Sequence, residues 1–175
     1  MNTSLHQLFL TLEEQRQGLL NSIQGLSSQE LDQHPEGKWS IAQVLSHLIA
    51  SEQLSVNYLN KKILGIQEAT DTGLNEELKM IVVILSQRLP FLKFKAPNVV
   101  TEKTTSYHSF EQLNEAWMKT RTELKDVLSR FKDDELKRKV YKHPYAGMLN
   151  IEQALVFFRE HIIHHTPQVK NLLKK

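Results

Sequence analysis

Along the first two dozen residues, Leu5, Leu8, Phe9, Leu12, Leu19, Leu20 and Ile23 recur with helical spacing, which lines one face of a helix with apolar side chains. The pattern predicts an amphipathic helix over residues 3–24, ended by Gly25. Pro35 and Gly37 break residues 27–39, leaving room for one helical turn near Ser28. Ser40, followed three residues later by Gln43, has the form of a capping box. It opens a second helix over residues 41–64, with Ile41, Val44, Leu45, Leu48, Ile49, Val56 and Leu59 on its apolar face. His47 falls beside that stripe and is expected to be half buried.

Residues 65–73 read as a polar loop. A shorter helix over residues 74–88 carries Leu78, Ile81, Val82 and Leu85, and Pro90 stops it. Residues 91–108, with Pro97 and several threonines, read as an extended connection crossing the molecule. Ser109 and Gln112 repeat the capping signature and start a helix through Phe131, with Leu113, Trp117, Leu124, Val127 and Leu128 inward. Residues 133–149 read as another loop, turn-like from His143 to Gly147. Asn150 with Gln153 caps the last helix, whose core face is Ile151, Ala154, Leu155, Phe158, Ile162 and Val169. Pro167 is expected to interrupt it with a kink, because proline supplies no amide to the Ile163 carbonyl. No strand, repeat or low-complexity tract stands out. Four long helices and one or two minor ones predict an all-α bundle.

A length of 175 residues suits a single domain spanning residues 1–175. The 22 Lys and Arg are interspersed with 20 Asp and Glu, which argues against a nucleic-acid partner. The absence of cysteine excludes disulfides, thiolate zinc sites and a cysteine nucleophile, so any metal ligand must be His, Asp or Glu. The opening residues carry no basic segment followed by an apolar one, and no run approaches the roughly eighteen apolar residues of a membrane span. A soluble, cytoplasmic protein without a membrane partner is expected.

The chemistry concentrates in His161-Ile162-Ile163-His164-His165. Positions four apart share a helix face, so His161 and His165 can aim ring nitrogens at one point, which is a metal-chelating spacing. Two imidazoles leave a divalent ion under-coordinated, and His47 on the second helix is the best placed third ligand. His161 with His164 also shares a face. The pair His161 and His165 is favoured, with His164 left beside the site. Alone, His47 would read as a hydrogen-bonded core residue. Three neutral imidazoles leave an ion its full charge and open positions for water or substrate, as in catalytic centres.

These residues also carry a resemblance. Trp39-Ser40-Ile41-Ala42-Gln43-Val44-Leu45-Ser46-His47-Leu48, the turn from His143 to Gly147 followed by Leu149 and Ile151, and the stretch His161 to Gln168 together resemble the DinB-like superfamily of damage-inducible and YfiT-type bundles. In order and spacing the likeness covers nearly the whole chain. It implies an up-down-down-up four-helix bundle with nickel or zinc on three histidines that map to His47, His161 and His165. Relatives include S-transferases that use low-molecular-weight thiols, a thiol-dependent isomerase and proposed metal-dependent hydrolases, often as homodimers. Pro167 and the two isoleucines depart from the usual text, where polar residues such as aspartate are common.

The resemblance therefore implies a metal-dependent enzyme acting on a small molecule, either a thiol S-transferase or a hydrolase. The competing reading is a non-enzymatic stress or interaction protein with a structural or vestigial histidine cluster. DNA binding, suggested by the superfamily's name, is disfavoured by the balanced charge. No catalytic residue is assigned. Tyr107, His108, His143 and Tyr145 fall in the long connections and read as surface residues, with Tyr145 the first to test. Gln43 and Ser51 flank His47 by one turn and read equally well as pocket or solvated positions. Glu52 and Glu160 are the nearest carboxylates, but each is offset by about 100–140° from the ligand face, so both are expected on the surface. Trp39, Trp117, Phe157 and Phe158 read as core or rim aromatics, and His6 and His34 carry no claim.

Overall fold

Helix α1 (Thr3–Ile23) begins where the Asn2 side chain accepts the Ser4 amide, and it buries Leu5, Phe9, Leu12, Leu19, Leu20 and Ile23. Gly25 then turns the chain at φ +90°, a left-handed conformation that glycine adopts without a Cβ clash. The computed structural model describes residues 1–88 and 104–174 of the chain. Short α2 (Ser28–Asp32) is held by a Ser27–Glu30 capping box. At the start of α3 (Ile41–Lys62), Ser40 Oγ accepts the Gln43 amide while Gln43 Oε1 accepts that of Ser40.

The expected loop after α3 is partly a 3₁₀ segment, Ile63–Glu68, because Ile63 and Ile66 are drawn into the core. Helix α4 (Leu74–Arg88) follows, then, beyond the described break, α5 (Phe110–Ser129) and a 3₁₀ turn at Asp133–Glu135. The connection expected over residues 91–108 lies mostly outside the described residues. A two-stranded antiparallel hairpin, β1 (Tyr141–His143) and β2 (Gly147–Leu149), leads into α6 (Ile151–Leu172). The hairpin was expected only as a loop around a turn. Three-residue strands are too short for a period-two pattern to emerge from sequence.

Helix α6 is the hub of the fold: it packs against α1, α3, α4 and β1. Helix α3 is wedged between α5 and α6 and also touches α2 and β1, so nearly every residue from Ile41 to Ala50 is buried. One continuous apolar core joins these elements, with Trp117 and Phe158 among its largest side chains. The architecture is all-α apart from the hairpin, and no helix among the described residues is long and apolar enough to cross a membrane.

Helix α6 runs through Pro167 to Leu172, and one expectation about the helices is corrected. On α4, Leu78, Ile81, Val82 and Leu85 are 52–66 % exposed, while Met80 and Val83 are buried. The sequence offers two apolar faces there, and periodicity alone does not choose between them. The face turned inward carries Met80, Ile84 and Arg88 at successive turns, and Arg88 grips Glu160 on α6 through two hydrogen bonds of 2.7 and 2.9 Å.

A candidate three-histidine metal centre

The packing of α3 on α6 brings His47 against two histidines more than a hundred residues later. His47 Nε2 lies 3.2 Å from His161 Nε2, which lies 3.2 Å from His165 Nε2. The three donor atoms fall within 4.8 Å of one another. Around an ion with bonds of about 2.0–2.1 Å, neighbouring nitrogens in tetrahedral array sit roughly 3.3 Å apart. The cluster has that spacing.

The proton inventory sharpens the point. His165 Nδ1 faces Gln168 Oε1 at 3.0 Å, a contact that requires Nδ1–H to donate and leaves the Nε2 lone pair directed at His161. A single proton on His161 can bridge only one of its two 3.2 Å contacts well. A cation shared by three lone pairs satisfies both. Burial, reinforced by charge from neighbouring histidines, pushes His47 down to about 4 and His161 well below its ordinary value. His165 also falls to about 4 through burial, despite the opposing Gln168 bond. All three are therefore neutral at pH 7, the protonation state a metal requires. His47 Nδ1 is sealed and pairs with no described residue.

Aromatic rings frame the cluster. Trp39 lies 5.1 Å from the His47 ring, and Phe157, one turn before His161, stacks on it at 5.6 Å and 10°. His47, expected half buried, is 6 % exposed, while His161 and His165 are intermediate. His164 sits beside His165 with ring centroids 5.0 Å apart. Gln43 is exposed, Ser51 is intermediate, and Tyr145 is largely exposed.

The carboxylates are where the surface expectation fails. Glu52 and Glu160 are 2 % and 1 % exposed. Their offset from the ligand face turns them toward other helices, because α3 and α6 are enclosed on several sides. Glu52 accepts from Trp117 Nε1 at 3.0 Å and Arg121 Nη2 at 2.8 Å, yet burial still raises its pKa. For Glu160, burial opposes the charge, but Arg88 and Arg159 prevail and hold its pKa below the ordinary value.

His143, read as a surface residue, is also buried. Its Nδ1 accepts the amides of Tyr145 and Ala146 at 3.1 and 2.9 Å, closing the hairpin turn, and burial pushes its pKa down to about 4. His108 instead stays exposed and pairs with Asp32, while Tyr107 packs half-buried on the core. Two participants went unread in the sequence, Gln168 as the orienter of His165 and His143 as a buried ring. Only the three-residue step from His165 could have pointed to Gln168.

A family model for the DinB superfamily matches residues 11–169, nearly the entire chain. The chain belongs to the DinB superfamily. No curated protein matches it. The expected membership is thus shown, and the histidines on which the resemblance rested lie together in this superfamily member.

Proposed function

We propose that His47, His161 and His165 hold a divalent ion, nickel or zinc, and that the protein is a metal-dependent enzyme acting on a small molecule. The single observation that carries this reading is the convergence of three neutral imidazole nitrogens with no proton arrangement that suits both short contacts. When bound, such an ion supplies a Lewis acid that lowers the pKa of a thiol or water reaching its open side. Thiol S-transfer is favoured over hydrolysis. A free thiol, with pKa about 8.5, is far closer to its nucleophilic form than water at about 15.7, and so depends less on a neighbouring base. Glu52 and Glu160, the carboxylates nearest in sequence to the ligands, are both committed to arginines. Trp39 and Phe157 would shape the walls and keep bulk water from the histidines.

The same reading takes residues 1–175 as one domain with its long helices up-down-down-up, acting in the cytoplasm as a homodimer with a low-molecular-weight thiol as co-substrate. The test is metal analysis of untagged protein, followed by a screen of electrophiles with and without added thiol. Turnover only with thiol, lost in His47→Ala, His161→Ala and His165→Ala, is the expected result. Full metal retention in all three variants would end the metal assignment. An ion with no exchangeable position would favour a non-enzymatic bundle instead.

A further inference from the structure

Helix α4 has two apolar faces, and the fold uses one of them. Inward, Met80, Val83 and Ile84 pack into the core where the helix meets α6. At about 100° per residue, Leu74, Leu78, Ile81, Val82 and Leu85 fall on the opposite side, within an arc of about 100° that no polar residue interrupts. These five side chains are between 52 and 78 % exposed. Among the described residues, the other exposed large apolar side chains are spread over separate elements, such as Leu10 on α1 and Met118 on α5. Scattered apolar residues are normal on a protein surface, whereas a continuous stripe marks a place where something docks.

Size and pattern both fit a second copy of the chain. The stripe presents on the order of 600 Å² of apolar surface, the upper end of what a monomer leaves uncovered, and two stripes facing each other would remove about 1,200 Å² from water, where stable interfaces begin. Leu78, Ile81, Val82 and Leu85 are also placed symmetrically about a point midway between Ile81 and Val82. A two-fold axis through that point pairs two copies of α4 antiparallel, so that Leu78 meets the partner's Leu85 and Ile81 meets the partner's Val82. Each contact then occurs twice, as an isologous interface requires. Charge agrees with the apolar pattern. Glu77 in the first turn and Arg88 in the last border the stripe on the same flank, so the two-fold sets the acidic end of one helix beside the basic end of the other.

We propose that α4 is the contact helix of a homodimer, laying its stripe from Leu74 to Leu85 antiparallel against the same stripe of a second copy. The inference rests on the homodimer reading above and deepens it by naming the face. It is independent of the metal.

The test is sedimentation velocity on the full chain. The natural protein should be a dimer at micromolar concentration. Leu78→Glu sets two unpaired carboxylates in the apolar seam and should raise the dimer dissociation constant about a hundredfold or more, while Met118→Glu on α5 should leave it unchanged. A monomeric natural protein would overturn the homodimer reading and this inference together, and a dimer indifferent to Leu78→Glu would overturn this inference alone. Should Leu78→Glu fail to fold, crosslinking decides, because a chain without cysteine gives an engineered thiol no competitor. Ile81→Cys treated with a short bismaleimide should yield a covalent dimer and Met118→Cys should not. Equal crosslinking at both positions, or none at Ile81→Cys, refutes the α4 contact.

Discussion

Two polar clusters interrupt the same apolar core, and they are balanced in opposite ways. Between α3 and α5, Glu52 is matched by Arg121 and the Trp117 N–H, with Glu13 at 3.5 Å from the other side of the guanidinium. Charge meets charge within the protein. Between α3 and α6, three imidazole nitrogens converge, and the group they form among the described residues contains no carboxylate. The first cluster balances its charge within the protein, although Arg121 Nε and Nη1 are buried without a hydrogen-bond partner among the described residues, and the second is complementary to a cation. Burial of polar groups alone therefore does not mark a functional site. What marks it is which partner is missing.

The largest effect is expected on the charge-matched cluster. Arg121→Met strands the Glu52 carboxylate, and stability should fall by about 3–5 kcal/mol in urea unfolding, with most of the loss recovered when Glu52→Leu is added. A drop below about 1 kcal/mol would mean that the pair is not what keeps Glu52 inside. The histidine cluster should respond to metal instead: zinc at a hundredfold excess over its dissociation constant should stabilise the fold by about 2.7 kcal/mol, and calorimetry should find no such gain in His161→Ala.

Acid separates the clusters next. The folded-state pKa of His47, about 4, lies below the ordinary 6.5, so the unfolded chain binds more protons between those values. In metal-free protein, stability should be intact above pH 6.5 and decline as pH falls toward 4, by about 2 kcal/mol at pH 5 from this residue. His47→Gln should flatten the decline, whereas an unchanged slope would assign the acid sensitivity elsewhere. The smallest effect is reserved for the orienting bond. Gln168→Leu should weaken zinc affinity about tenfold without changing stoichiometry, as measured by competition with a chromophoric chelator.

Much of this was legible in the residues, for reasons that differ by element. Capping pairs Ser40–Gln43 and Asn150–Gln153 act over three residues, so the starts of α3 and α6 could be read directly, and both boxes form. At Ser109 only half does: the hydroxyl caps Gln112, while Gln112 Oε1 takes the His108 amide instead. The spacing of His161 and His165 is likewise local, and their convergence with each other follows from one helical turn. His47 was legible only as the best placed third ligand on another helix, because nothing local says which helix faces which. The same blindness to tertiary partners misplaced Glu52, Glu160 and His143, whose burial depends on arginines and backbone amides supplied from elsewhere. Helix α4 failed for a related reason, since its two apolar faces are told apart only by what α6 offers.

His47 and His161 are 114 residues apart in sequence yet touch through their ring tips. A chain with no cysteine has no covalent means of closing so long a loop. An ion gripped at that junction would tie the second major helix to the last as a removable crosslink, restricting the unfolded chain much as a disulfide does. Metal supply in the cell would then govern how long the folded protein survives proteases as well as whether it can react.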